Sequence, residues 1–349
     1  MAKHRIGAGV WFLLAVLWSI TTASAEEPRF DIWYGDHQRF GHLGGHPQRW
    51  INVLGHVAAA GEIQTLTYRL NGGRPQPLSF AEDKKRLARD GDFNVEILRS
   101  DLRDGDNRVV LEAVDRSGAV ARHEVRVDYD AGADAWPLPY TIDWSTVKRI
   151  EDVTQVTDGK WELTADGIRS VQRYYDRAFA FGDATWTDYE VSTSITVHAL
   201  TPPKTDPNTT RVTHAAIALR WPGHDADGNQ PTVKWHPLGA TAEFRLGGEL
   251  QECRWRIFDG QKRFSVESDR RRSLQLETRY DVKHRVETLS DGTSRYQAKL
   301  WPAGEPEPER WDLVRIEAEE DVPRGSVLLL AHHSEVTFGN VTVVPLGAE

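Results

Sequence analysis

The side chains best placed to do chemistry in this 349-residue chain lie in its last third. There Tyr280, Val282, His284 and Val286 alternate with Asp281, Lys283, Arg285 and Glu287. An Asp291-Gly292 turn follows, and Tyr296, Ala298 and Leu300 then alternate with Arg295, Gln297, Lys299 and Trp301. This period of two predicts a hairpin with one apolar and one charged face. Trp301 shares the charged face with Lys299, Gln297 and Arg295, and Lys283 and Arg285 lie across the hairpin. Arg254 and Arg256 line one face of another strand, and Trp235 stands between Lys234 and His236. Exposed indoles stack on pyranose rings, and guanidinium forks and ammonium groups bind carboxylate or sulfate. The set Trp235, Arg254, Arg256, Lys283, Arg285, Arg295, Lys299 and Trp301 is therefore the expected ligand-binding surface. The plainer alternative is a solvated charged face whose cations are cross-paired with Glu287 and Asp281.

Catalytic patterns are harder to find. Glycoside cleavage needs two carboxylates about 5–10 Å apart, which residues two or four apart on a strand can supply. Glu305, Glu307 and Glu309 have that spacing, but Pro306 and Pro308 interrupt them and exclude a central strand. A solvated acidic loop is expected there. Glu190, Glu243 and Glu277 are candidate general acids without a partner in the sequence, and no Gly-x-Ser-x-Gly elbow is present. No catalytic residue is assigned on this basis.

For metals, Asp225-x-Asp227-Gly228-Asn229 spaces oxygen ligands as a hard-cation loop does, with calcium the ion it would take. It lacks a following acidic anchor, so a plain Asp-Gly turn is the commoner meaning of such a stretch. His37, His42, His46 and His56, with Asp36, crowd one Gly-rich segment, but at no ligand-pair spacing, and surface or capping roles are expected for them. No other cofactor is expected.

The first residues read as a leader. Lys3 and Arg5 precede the apolar run Val10 to Ile20, and Ala23-Ser24-Ala25 offers a cleavage site before Glu26. Residues 1–25 are thus expected to be a signal peptide, with export to the periplasm or the medium. The run is short of the ~20 residues that span a bilayer, and no later segment spans one. The lone cysteine, Cys253, alternates with Trp255 and Ile257 and is expected to be buried and inert. A net charge of −9 argues against nucleic acid as a partner.

The elements that must position these residues are short strands. Residues 28–130 carry alternating segments at Ile63–Leu70, Phe93–Ile97, Val109–Val114 and Val125–Tyr129, with turns at Asn71-Gly72-Gly73 and Asp104-Gly105-Asp106-Asn107. The Leu-Asn-Gly-Gly strand end, Gly-Asp-Phe-Asn-Val at 91–95, the Leu102 to Asn107 turn and Ala-x-Asp-x-x-Gly at 113–118 resemble bacterial immunoglobulin-like domains of exported proteins. That resemblance implies a sandwich and a spacer or adhesion role. Residues 131–139 form a small Gly/Pro-containing linker.

Residues 140–346 continue the pattern, with Trp186-Thr-Asp-Tyr-Glu-Val191, Gly325-Ser-Val-Leu-Leu-Leu330 and Phe338-Gly-Asn-Val-Thr-Val343 as landmarks. Their order resembles the concanavalin A-like lectin/glucanase superfamily, including laminin-G-like modules and keto-disaccharide hydrolase domains. The resemblance implies a jelly-roll sandwich whose concave sheet meets glycan. It also implies a Glu-x-Asp-x-Glu strand in the glucanase branch, which this sequence lacks. A structural calcium in many relatives uses an Asp before the final Asn-Val, where Gly339 stands here.

The expectation is an all-β chain, an immunoglobulin-like sandwich followed by a concanavalin A-like sandwich. It is expected to bind a polysaccharide or cell-envelope glycan, acidic polymers included, through the second unit. The alternatives are a glycan-active hydrolase or lyase of the same superfamily, and a non-catalytic structural protein of the cell envelope.

Overall fold

The computed structural model describes residues 28–58, 63–201, 212–233, 241–258, 265–317 and 321–347. The leader read at residues 1–25 and Trp235 lie outside them. Among the described residues the chain is all-β, its helical elements being single 3-10 turns. Among these residues no helix is long and apolar enough to cross a membrane.

The first strands are β1 (Phe30–Ile32), β2 (His37–Phe40), β3 (Trp50–Val57), β4 (Ile63–Leu70), β5 (Gln76–Pro77), β6 (Asp92–Leu98), β7 (Gly105–Asp115) and β8 (Val120–Tyr129). They form a three-stranded sheet, β1-β3-β6, and a five-stranded sheet, β2-β8-β7-β4-β5. Alternation packs them face to face. Ile51, Val53, Phe93, Val95 and Ile97 of one sheet meet Leu66, Val109, Leu111, Val125 and Val127 of the other in a shared core.

The remaining strands are β9 (Tyr140–Ile142), β10 (Gln155–Asp158), β11 (Trp161–Thr164), β12 (Gly167–Ser170), β13 (Arg177–Phe181), β14 (Tyr189–Leu200), β15 (His214–Trp221) and β16 (Thr241–Arg245). They continue with β17 (Arg254–Phe258), β18 (Ser265–Glu267), β19 (Arg279–Thr288), β20 (Ser294–Pro302), β21 (Leu313–Glu317), β22 (Ser326–His332), β23 (Ser334–Phe338) and β24 (Val341–Pro345). One sheet runs β10-β13-β22-β15-β16-β17-β18. The other, nine-stranded, runs β11-β12-β23-β14-β19-β20-β21, with β24 and β9 branching from β14. Phe179, Ile217, Phe244, Trp255 and Leu329 of the first meet Val191, Val282, Tyr296, Leu300 and Phe338 of the second in the largest core. Cys253 lies in that core, fully buried, with its thiol pushed up by burial.

The hairpin that the alternation predicts is β19–β20. Tyr280, Val282, His284 and Val286 face inward. His284 tolerates that position because Nδ1 donates to Ile217 O of the facing sheet at 3.0 Å. The linker is not a free joint either. Trp136 is buried, its carbonyl accepts from the Trp186 indole at 2.7 Å, and Asp183 accepts from the amides of both His46 and Trp136.

The polar positions of β3 and β6 depart from the solvent exposure that alternation implies. Asn52, Asn94 and Glu96 are buried against β10. Asn94 donates to Thr157 O at 2.9 Å, and Gln155 donates to Trp50 O at 2.8 Å. Arg86, from the segment between β5 and β6, inserts its guanidinium between Glu96, at 2.9 Å, and Asp158. Arg177 reaches Asp158 at 3.3 Å and donates to the carbonyls of Lys85 and Arg86. The Arg86, Glu96, Asp158 and Arg177 side chains are each no more than 2% exposed. Gly159 turns in the left-handed region beside Arg177, where any Cβ would collide with the arginine chain.

Removing one member of such a network strands buried charge. Arg86→Leu is expected to lower unfolding free energy by about 3–5 kcal/mol in urea titrations; a loss below about 1 kcal/mol would show that the carboxylates are compensated elsewhere. Acid should also destabilise the fold. Burial holds His42, His46, His214, His224 and His284 below the ordinary imidazole value, His46 and His224 at about 4 and His284 at about 3. As pH falls through 6.5 the unfolded chain takes up protons that these folded groups refuse, so stability falls. Asp158, pushed up to about 6 by burial against the pull of Arg177 and Arg86, opposes this, as does Glu243, raised by burial. Five imidazoles outweigh two carboxyls, and the urea midpoint is expected to drop between pH 7 and pH 5.

Candidate functional site

The outward face of the nine-stranded sheet carries an ordered lattice of polar side chains. Register sets Ser194, Asp281 and Trp301 in one row across β14, β19 and β20, and Ser192, Lys283 and Lys299 in the next. Glu190, Arg285 and Gln297 form a third row. A groove of about 620 Å³ runs over the first two rows and the neighbouring loops. Ser192, Ser194 and Asp281 form part of its floor, with Asn340 and Thr342 beside them, Asp143 and Asp166 contributed by turns, and Trp301 and Glu307 also lining it.

Lys283, Arg285, Arg295 and Lys299 on this face are matched by carboxylates. Glu190 pairs with Lys283 at 2.9 Å and with Arg285. Glu307 reaches back from the Pro-rich loop to Lys283 at 2.8 Å and Lys299 at 2.6 Å, and Lys299 also donates to Pro308 O. The loop expected to be a solvated acidic stretch is thus clasped onto the sheet. Burial would lower the Lys283 ammonium, but the hydrogen bonds it donates to Glu307 and Glu190 hold it above its ordinary value. Burial would likewise raise Glu307, and Lys283 and Lys299 draw it down instead. Arg295 pairs with Glu287, as the plainer cross-strand alternative predicts.

Trp301 departs from the exposed stacking platform expected of it, being 9% exposed. The reason is local: Lys299 lies over its ring at 5.9 Å. The indole that meets the cations is Trp311, half-buried, with Lys299 at 4.5 Å and Arg285 at 5.2 Å from its ring centre. Of the sequence-derived binding set, Lys283, Arg285, Arg295, Lys299 and Trp301 share this face. Arg254 and Arg256 do not. Their neighbours Trp255 and Ile257 are in the core, so both arginines project from the opposite side of the sandwich, where Arg254 pairs with Glu267 at 2.7 Å.

The Asp225–Asn229 loop behaves as a turn. Asp227 accepts from the amides of Asn229 and Val233, both at 2.9 Å, and Asp225 pairs with Arg49 at 3.1 Å. Gly339 also has a structural reason. A Cβ there would collide with Ser194 Oγ, and the Gly339 carbonyl accepts from the Trp144 indole at 2.9 Å and the Thr193 hydroxyl at 3.0 Å. The histidines near the start of the chain are dispersed among separate partners: His46 faces Asp130 O and His56 faces Asp92.

A second cluster, on the outward face of the seven-stranded sheet, escaped the sequence analysis. Asp176, His214 and His332 come together there, and Glu243, read as a general acid without a partner, joins them. Its Oε1 is 3.6 Å from His214 Nε2, and Asp176 Oδ1 is 3.9 Å from the same nitrogen. These residues are far apart in the chain, and only the pairing of β22 with β13 and β15 unites them. No motif spacing could have revealed them.

No family model matches the chain, and no curated protein matches it in sequence. Among solved structures it is similar to the VIP36 exoplasmic/lumenal domain in its Ca2+/Man3GlcNAc-bound form, at 11% identity over 62% of this chain and 92% of that one, with a TM-score of 0.38. It is also similar to the Crh5 transglycosylase in complex with NAG, at 9% identity over 61% and 86%, TM-score 0.39. A third is arcelin-5, a lectin-like defence protein from Phaseolus vulgaris, at 7% identity over 81% and 93%, TM-score 0.25. Likenesses this distant carry no argument about the site.

If Glu190 and Glu307 neutralise the strip, removing their charge should unmask it. The double variant Glu190→Gln, Glu307→Gln is expected to elute from a sulfated-polysaccharide column at higher salt than the parent chain. Identical elution would show that the pairing does not control the charge of this face.

Proposed function

We propose that this chain binds glycan of neutral character in the groove of the nine-stranded sheet. The observation that carries the reading is the groove's chemistry. Its volume of about 620 Å³ suits a few sugar rings, and its lining is mostly short hydroxyls, an amide and carboxylates, with Lys283 held by Glu190 and Glu307 and with Arg279 also lining it. Such groups exchange hydrogen bonds with sugar hydroxyls, and the Trp301 edge offers an apolar contact. The acidic polymer suggested by the basic residues is disfavoured, because Glu190, Glu287 and Glu307 already occupy those cations. In this reading the chain is exported by its leader, and the first sandwich acts as an immunoglobulin-like spacer.

The test is retention of the full chain on immobilised neutral polysaccharides beside sulfated and uronate-bearing ones. Asp281 sits mid-groove, its carboxyl raised by burial despite Arg279. Asp281→Ala should weaken retention about tenfold or more, the loss expected for a charged hydrogen bond. Equal retention of parent and variant on every matrix that binds would remove the groove from the reading.

A further inference from the structure

Four adjacent strands of the seven-stranded sheet each place one side chain at a common point. Asp176 immediately precedes β13, His332 ends β22, His214 begins β15, and Glu243 lies in the middle of β16. His214 and His332 are direct Cα partners, so their imidazoles stack at 4.4 Å with their planes 6° apart. Asp176 Oδ1 is 2.6 Å from His332 Nδ1, and Asp176, His214 and His332 offer ligand atoms all within 4.8 Å of one another. Tyr175 packs edge-on against His332 at 4.6 Å and walls one side. The ring is nearly closed to solvent, with the four side chains between 7% and 13% exposed.

Beside the facing Nε2 and Oε1 atoms, His214 Nδ1 and Glu243 Oε2 are buried without a hydrogen-bond partner among the described residues, although native structures satisfy nearly all such atoms. Arg256 approaches Glu243 only to 4.0 Å.

We propose that Asp176, His214 and His332 bind a divalent transition-metal ion of the zinc class, with Glu243 at the fourth position. The ligand chemistry selects that class. Two imidazoles with carboxylates suit zinc and its first-row neighbours, whereas calcium and magnesium favour all-oxygen shells. Ligands about 2.0–2.2 Å from a tetrahedral ion lie roughly 3.3–3.6 Å apart. The His214 contacts to Asp176 and Glu243 are near that span, at 3.9 and 3.6 Å, and the stacked imidazoles must rotate out of parallel for both lone pairs to meet one ion. The His332–Asp176 hydrogen bond gives way as the metal takes the place of the Nδ1 proton, which passes through solvent to Nε2 of the same ring. This site lies across the sandwich from the groove and stands independently of the glycan reading.

Calorimetric titration of the chelator-stripped full chain with Zn2+ tests the site. One ion per chain is expected, and Co2+ in its place should give the intense visible absorption of four-coordinate cobalt. Asp176→Asn and His214→Gln should each weaken Zn2+ binding by about tenfold or more, while Asp227→Asn in the 222–233 loop should leave it unchanged. Circular dichroism and thermal unfolding establish that each variant is folded. If Asp176→Asn does not fold, Glu243→Gln takes its place, with weaker binding and an altered Co2+ spectrum expected. Lack of saturable Zn2+ binding by the folded parent chain overturns the proposal. So does affinity unchanged in the folded ligand variants, affinity lost in Asp227→Asn, or the weak spectrum of six-coordinate cobalt.

Discussion

The seating of the first sandwich on the second depends on a buried electrostatic contact, the Arg86 guanidinium held between Glu96 and Asp158 with Arg177 behind it. Two arginines and two carboxylates balance in formal charge, and low exposure makes each pairing stronger than it would be in water. The amides of Asn52, Asn94 and Gln155 complete the contact and satisfy backbone carbonyls on both sides. Such a contact fixes geometry, because any displacement would strand a charge or a donor, while Tyr34 and Leu54 of the first unit join the large apolar core of the second. It holds the first sandwich over β10 and the start of β13. The outward faces of β15 to β18 and of the nine-stranded sheet are left to other tasks.

Those two outward faces differ in kind. The nine-stranded face is a lattice of paired charges interrupted by serines, and its groove lies where side chains are short. Glu307 matters because it comes from outside the sheet. By folding over Lys283 and Lys299 it turns a basic strip into a neutral one, and Lys299 itself lies over the Trp301 ring. The seven-stranded face instead gathers Asp176, His214, His332 and Glu243 at one point, with the Arg245, Arg254 and Glu267 pairs further along it. Beyond the Asp176–His332 end it is built from Ala178, Ala180, Ala216, Ala218, Leu328 and Leu330. That apolar surround excludes water around the cluster and shifts its titrating groups away from their ordinary values.

Local periodicity was legible residue by residue. The β19–β20 hairpin, its Asp291-Gly292 turn and the inward set from Tyr280 to Val286 follow directly from alternation, as does the burial of Cys253 between Arg272 and the core. Periodicity tells which side of a strand a residue occupies, but not what covers that side. Asn94 and Glu96 alternate with the apolar core positions of β6 and are buried as well, because a second sandwich lies over them. Trp301 read as exposed and is covered, because a lysine of its own strand lies across it.

By itself the sequence determined the all-β class, the strand faces and the hairpin, since each depends on side chains within a few residues of one another. Only the tertiary structure decided which charges meet. It put Arg254 and Arg256 on the opposite side from Lys283, gave Glu190 and Glu307 to the lysines, and joined Asp176 to His332 across 156 residues. Pairing partners in a sandwich are set by strand order. Strand order is a property of how sheets close around a core, and it leaves no fixed spacing along the chain.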